Sequence, residues 1–246
     1  MTKHRHWHVA AVTLILLTAL VSLRGEAVAV RQQATPVAAS CDTAATPAAT
    51  PMDPMATPMA GMDHGAMATP AASAEFDQSY IDMMIPHHGS IIALAQAALP
   101  RLTDERLQSL AGTIIRAQTA EIDELRGYRE QFYGSADPMP VDDAAMMQMM
   151  GGMSMPMNEM MPMMDADALV ATFCASADPD LAFIDLTIPH HQSAIAASNT
   201  ALQQATHDEI RDIAERVIED QQREIDELTA IREDLAGSGT LLEAVA

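Results

Sequence analysis

The 246-residue sequence predicts an all-α fold, a four-helix bundle made of two copies of one antiparallel helix hairpin. Three observations carry that expectation. Residues 77–134 align with residues 180–237 without a gap, at an offset of 103, with 24 identities in 58 positions. Each copy holds two runs whose apolar residues recur every three to four positions, the period of one helix face. A lone hairpin cannot bury such a stripe, so two hairpins are expected to pack about a pseudo-two-fold axis.

Residues 1–29 read as a secretory signal peptide. Lys3 and Arg5 precede the apolar run Val9–Leu23, and Ala27-Val28-Ala29 offers a small-residue cleavage site. The run is short for a membrane span, and an uncleaved anchor is the alternative. In either case the remainder is expected to be exported: periplasmic, cell-surface or secreted. Residues 30–75, rich in Ala, Thr, Pro and Met, read as a disordered tether.

The first hairpin, residues 76–134, opens with a stripe of Tyr80, Met83/Met84, His87, Ile91, Leu94 and Ala98. Pro100 breaks this helix, and Thr103 is a candidate N-cap for the next. That second stripe is Leu107, Leu110, Ile114, Gln118, Glu121, Leu125, Tyr128 and Phe132, with Gly134 placed to end it. Residues 135–179 form a linker. Met139–Met164 holds twelve of the chain's 20 methionines, interrupted by Gly and Pro, which suits core filler badly; Ala166–Cys174 reads as a short helix. The second hairpin, residues 180–237, repeats the plan through Ile210, Ile213, Val217, Gln221, Glu224, Leu228, Ile231 and Leu235. Thr206-x-x-Glu209 reads as a capping box, and Gly237 as a terminator before the 238–246 tail. His207 has no counterpart in the first copy and reads as a solvated residue.

The formal net charge is −21, and removing residues 1–29 leaves 10 basic against 33 acidic side chains. Such an excess argues against nucleic acid and anionic lipid as partners and attracts cations. Cys41 and Cys174 are the two cysteines; in an oxidising compartment they are able to pair, which the sequence leaves open.

Polar residues at core positions carry the chemistry. Gln118 and Glu121 interrupt an apolar stripe, as do Gln221 and Glu224, and a buried carboxylate needs a partner. At about 1.5 Å of rise per residue, Asp82, His87, His88, Gln118 and Glu121 fall in one slab of the bundle. The second copy repeats them as Asp185, His190, His191, Gln221 and Glu224. Pro86 and Pro189 cannot donate to the carbonyls of Asp82 and Asp185, and the apolar period continues upstream, so a kinked helix is expected rather than a helix start. Adjacent helical residues point about 100° apart, so one histidine of each pair faces the axis; His87 and His190 share the apolar stripe. The plain alternative is a hydrogen-bonded core His–Glu or His–Gln pair without metal. Imidazole and carboxylate suit several divalent metals. A second pattern, Met59, Met62, His64 and Met67, sets three thioethers around one imidazole, and thioethers select Cu(I) or Ag(I).

Ile85-Pro86-His87-His88 followed by Gln118-x-x-Glu121, together with its repeat, resembles domain-of-unknown-function family 305. The resemblance covers roughly Phe76–Gly134 and Asp180–Gly237 and implies a ferritin-like four-helix bundle; some members resemble periplasmic copper-binding proteins. It carries His87, His88, Glu121, His190, His191 and Glu224 over as metal positions, with Asp82, Gln118, Asp185 and Gln221 supporting. Leu186 and Thr187 replace Met83 and Met84 in the second copy, which withdraws thioether from that half.

The expected function is a non-enzymatic, exported metal-binding protein that sequesters or hands on copper, with other divalent metals left open. A di-iron or di-manganese oxidase is the first alternative, although such bundles use Glu-x-x-His on a helix. A metal-free structural or interaction module is the second. The expected partner is a metal ion, with no nucleic acid and no membrane once the signal is cleaved; a second copy or a copper-handling protein remains open.

Overall fold

The structure is a computed structural model that describes residues 40–41, 70–150 and 164–243. The signal segment, most of the tether with Met59, Met62, His64 and Met67, and the methionines at 153–163 lie outside the described residues. Among the described residues there are six helices and no strand: α1 (Pro70–Ala98), α2 (Glu105–Tyr133), α3 (Asp143–Met149), α4 (Ala166–Cys174), α5 (Pro179–Gln204) and α6 (Asp208–Glu243). Helices α1/α2 and α5/α6 form the two hairpins. α1 lies along α5 and α2 along α6, closing a four-helix ring, while α3 and α4 pack on α1 and α5.

The apolar core is split in two. One cluster joins Phe76–Ile85 of α1, Leu125, the α3 methionines, Ala194–Ala201 of α5 and Ile210–Val217 of α6. The other joins Ile91–Ala98, Leu107–Ile114, Val170 and Phe173 of α4, Phe183, Ile184, Leu228 and Ile231. These memberships make α1 and α5 antiparallel. They also leave a gap at one depth on all four helices, filled by the polar residues of the repeat.

The caps bind the hairpins to each other. Asp77 of α1, fully buried, accepts from Thr206 N (3.0 Å), Thr206 Oγ1 (2.7 Å) and His207 N (3.0 Å) at the turn of the second hairpin. Its repeat, Asp180 of α5, accepts from Thr103 N (2.8 Å), Thr103 Oγ1 and Asp104 N (3.2 Å) at the turn of the first. The threonine hydroxyls therefore donate across the bundle and do not cap their own helices. Asp104 is the N-cap of α2, accepting from Arg106 N at 2.8 Å, and the expected capping box at Thr206 does not form. A buried carboxylate that takes several donors outcompetes a local hydroxyl cap. His207 is likewise only partly solvated: Nδ1 lies 2.6 Å from Asp77 Oδ2 and the ring stacks on Phe132 at 3.9 Å.

Gly134 ends α2 in the left-handed region (φ 79°), its N–H bonded to Glu130 O. Gly237 does not end its helix; α6 runs through it to Glu243. α1 starts at Pro70, upstream of the expected boundary at 76. In the described part of the linker, Met146, Met149 and Met150 are core filler after all, because α3 lays them on the first cluster, while Met139 and Met147 stay exposed. Cys41 and Cys174 form a disulfide, closing a loop of 133 residues, and Arg101 sits over Phe173 beside it.

Because each buried aspartate holds the opposite hairpin's turn, Asp77→Ala and Asp180→Ala should each cost about 2–4 kcal/mol. Urea unfolding checks this: both variants are expected to unfold in one shifted transition. Separate transitions for the two hairpins would contradict the cross-bracing.

Candidate functional site

α1 and α5 pass uninterrupted through Pro86 and Pro189, as the continuing apolar period predicts. Both histidines of each pair are fully buried. His87 and His190 meet at the centre, their rings 3.8 Å apart between centroids and tilted by 39°. His87 Nε2 is 2.7 Å from Ser193 Oγ, and His190 Nε2 is 2.9 Å from Ser90 Oγ. His88 and His191 turn to the partner helix of their own hairpin. His191 Nε2 hydrogen-bonds Glu224 Oε2 at 2.7 Å, whereas His88 Nε2 lies 2.8 Å from Glu121 Oε2 at angles outside those of a hydrogen bond.

The serines fix the tautomers. Ser193 Oγ donates its single proton to His190 O (2.6 Å), and Ser90 Oγ to His87 O (2.7 Å). A hydroxyl has one proton, so each serine can only accept from the facing imidazole. His87 and His190 are therefore protonated at Nε2 and carry a bare lone pair on Nδ1. His88 and His191, facing carboxylates through Nε2, present Nδ1 the same way in their neutral form. All four Nδ1 atoms are buried without a partner, as are both side-chain polar atoms of Gln118 and Gln221 and the hydroxyl of Thr187.

Burial, then the neighbouring imidazoles of His88 and His191, pushes the pKa of His87 well below the ordinary histidine value. Burial first, then His87, His191 and His88, does the same for His190. Two buried imidazoles in ring contact cannot both be charged without water. Tyr80 belongs to the same region: buried, its hydroxyl 2.8 Å from Ser198 Oγ, its pKa is raised by desolvation.

The six sequence-derived metal positions thus sort into a central imidazole pair and two flanking His–Glu dyads. Among the described residues, no three His, Cys, Asp or Glu side chains come together as a ligand set. A carboxylate-bridged di-metal centre needs such sets. Asp82 and Asp185 are not in the layer. Arg129 takes Asp82 in a buried pair, and Arg232 takes Asp185 at the surface, because arginines about two turns beyond Glu121 and Glu224 face them across each hairpin. Sequence reasoning did not single out Ser90 and Ser193, though both recur at the repeat offset three residues after the first histidine.

The family described as "Domain of unknown function (DUF305)" matches residues 17–129 and 77–232. Among solved structures, CopM in a Cu(II)-bound form is 30% identical, covering 65% of this chain and 97% of that one, with a TM-score of 0.52. CopM in a Cu(I)-bound form is 26% identical, covering 65% and 96%, with a TM-score of 0.50. A DUF305 fragment from Deinococcus radiodurans shares the fold at 23% identity, covering 67% and 96%, with a TM-score of 0.50. No curated protein sequence matches the chain.

The depressed histidines predict an acid-sensitive apo fold. In the unfolded chain both rings titrate near 6.5; below that pH the unfolded state binds protons that the folded layer refuses, so stability falls as pH drops. Between pH 7.5 and 5.5 the two rings should cost the metal-free protein roughly 2–3 kcal/mol. Urea titrations at both pH values measure it, and His87→Gln/His190→Gln should remove most of that difference.

Proposed function

The chain belongs to the DUF305 family, and on that premise we propose that it is an exported, non-enzymatic protein that binds copper, to sequester the ion or hand it on. One observation carries the reading: all four buried imidazoles keep an unpartnered Nδ1 lone pair, while Nε2 of His87, His190 and His191 is hydrogen-bonded to a serine or a carboxylate and Nε2 of His88 lies beside Glu121. Metal-ligating histidines have this arrangement, with the second nitrogen fixed by an outer partner. Nδ1 lone pairs without donors are costly in a core unless something accepts them. The similarity to CopM, solved with Cu(II) and with Cu(I), supports copper over other ions that imidazole suits. His87, His88, His190 and His191 are the donors, with Glu121 and Glu224 as orienting carboxylates. Export rests on the leader-like residues 1–29. Among the described residues, no helix is long and apolar enough to cross a membrane.

A ligand of the folded layer stabilises the fold. At free copper about 100-fold above Kd the gain is about 2.7 kcal/mol, or several degrees in Tm for a chain of this size. The full-length protein, purified without chelator or His-tag, should show that rise under reducing conditions, and His88→Gln/His191→Gln should abolish it. Copper held only outside the layer leaves Tm where it was, and that outcome overturns the assignment.

A further inference from the structure

Cys41 and Cys174, the chain's two cysteines, meet away from the histidine layer. They pack on the second apolar cluster, beside the turn that follows α1. The end of α1 at Ala98 is about 15 Å along the helix from His88. Cys41 sits in a turn outside the helices, Cys174 closes α4, and both are half-buried, with Cα atoms 5.4 Å apart. One cation stands over them. Arg101 Nη1 donates to Cys41 Sγ at 3.4 Å and to Cys174 O at 3.2 Å, and Nη2 donates to Ser176 O at 3.2 Å. The repeat places Gln204 at this position, where it accepts from Gln148 of α3. The positive charge therefore occurs only at the turn that meets the cysteines.

We propose that Cys41 and Cys174 form a separate metal site that reduction opens: an external dithiol converts the disulfide to two thiols, and their thiolates take one soft monovalent cation of the Cu(I) class beside Arg101. This goes beyond the copper reading above and does not depend on the layer. The exchange balances. A thiolate of the external dithiol attacks Cys174 Sγ, and the sulfur–sulfur bond breaks with its electron pair leaving on Cys41 Sγ, next to the guanidinium. The second thiol of the reductant closes its own disulfide and releases Cys174, so the dithiol is oxidised by two electrons. Each cysteine gives up its proton when it binds the ion. Three features argue for Cu(I). Thiolates are soft donors. A structural zinc ion takes four protein ligands, and among the described residues no three His, Cys, Asp or Glu side chains converge, whereas Cu(I) is satisfied by two thiolates. Two thiolates and one monovalent ion sum to a single negative charge, which Arg101 cancels in a chain whose formal net charge is −21.

A plain structural staple is the competing account, with the disulfide closing a loop of 133 residues and Arg101 capping α4 and lying over Phe173. Oxidised and reduced full-length protein, compared without oxygen, separate the two. Dithiothreitol is expected to open the disulfide without denaturant, and thiol titration to find two thiols. After the reductant is removed, chelator competition should show one more equivalent of Cu(I) in the reduced protein than in the oxidised one, with thiolate–copper scattering in X-ray absorption. That ion should also restore part of the Tm lost on reduction, because it rejoins the same loop. Cys41→Ser/Cys174→Ser should lose the extra equivalent. Arg101→Gln should weaken it about tenfold and Arg101→Lys should retain most of it, since the charge and not the cap is required. If the double serine variant fails to fold, the two redox states of the wild type carry the test. Equal Cu(I) uptake by both states, or thiols that appear only on unfolding, overturns this site and leaves the layer standing. Uptake by the reduced state alone supports this site and overturns the layer.

Discussion

Two neutral imidazoles packed ring against ring at the centre of an otherwise apolar bundle set the terms for the rest of this structure. His87 and His190 are 3.8 Å apart and out of reach of solvent. Such a pair persists only if neither ring is protonated twice and if each N–H has an acceptor. The serines meet the second condition by a crossed arrangement: Ser90 bonds the carbonyl of its own helix and the imidazole of the other, and Ser193 mirrors it. The price is four lone pairs aimed into a core that offers them no donor.

That centre explains why the hairpins are interdependent. Neither can complete its own layer, because His87 needs Ser193 and His190 needs Ser90. The same exchange is made at both ends of the bundle, where Asp77 and Asp180 hold the opposite turns. Pro86 and Pro189 fit the scheme. Each removes one rung of the helix ladder just before the histidines, so the local backbone is less tightly specified where the two proline helices cross.

Much of this was legible in the sequence because two independent periods agreed: the 3.6-residue stripe gave the helices, and the 103-residue repeat gave their pairing. Gln118 and Glu121, polar within an apolar stripe, marked the depth of the layer, and the adjacent histidines fell there. The cross-bonds were not legible. Asp77 and Thr206 are 129 residues apart, and nothing local distinguishes a threonine that caps its own helix from one that donates to a distant carboxylate. Asp82 misled for a related reason. Depth along a hairpin places residues at one level but does not say which way they face, and Arg129 claims the carboxylate. Gly237 shows that a glycine ends a helix only where the chain must turn; elsewhere it is tolerated at a cost near 1 kcal/mol. The disulfide depended on a segment with no periodic signal. Ser90 and Ser193 could have been found, since an identical small polar residue at a core position of both copies is itself a signal.

The central claim is that metal enters the buried layer. Diffraction from crystals of the full-length protein grown with Cu(I), collected across the copper absorption edge, tests it most directly. The account predicts an anomalous peak between the two apolar clusters, beside the rings of His87, His88, His190 and His191. Copper found only on methionines away from these rings, with all four Nδ1 atoms still unligated, would contradict it.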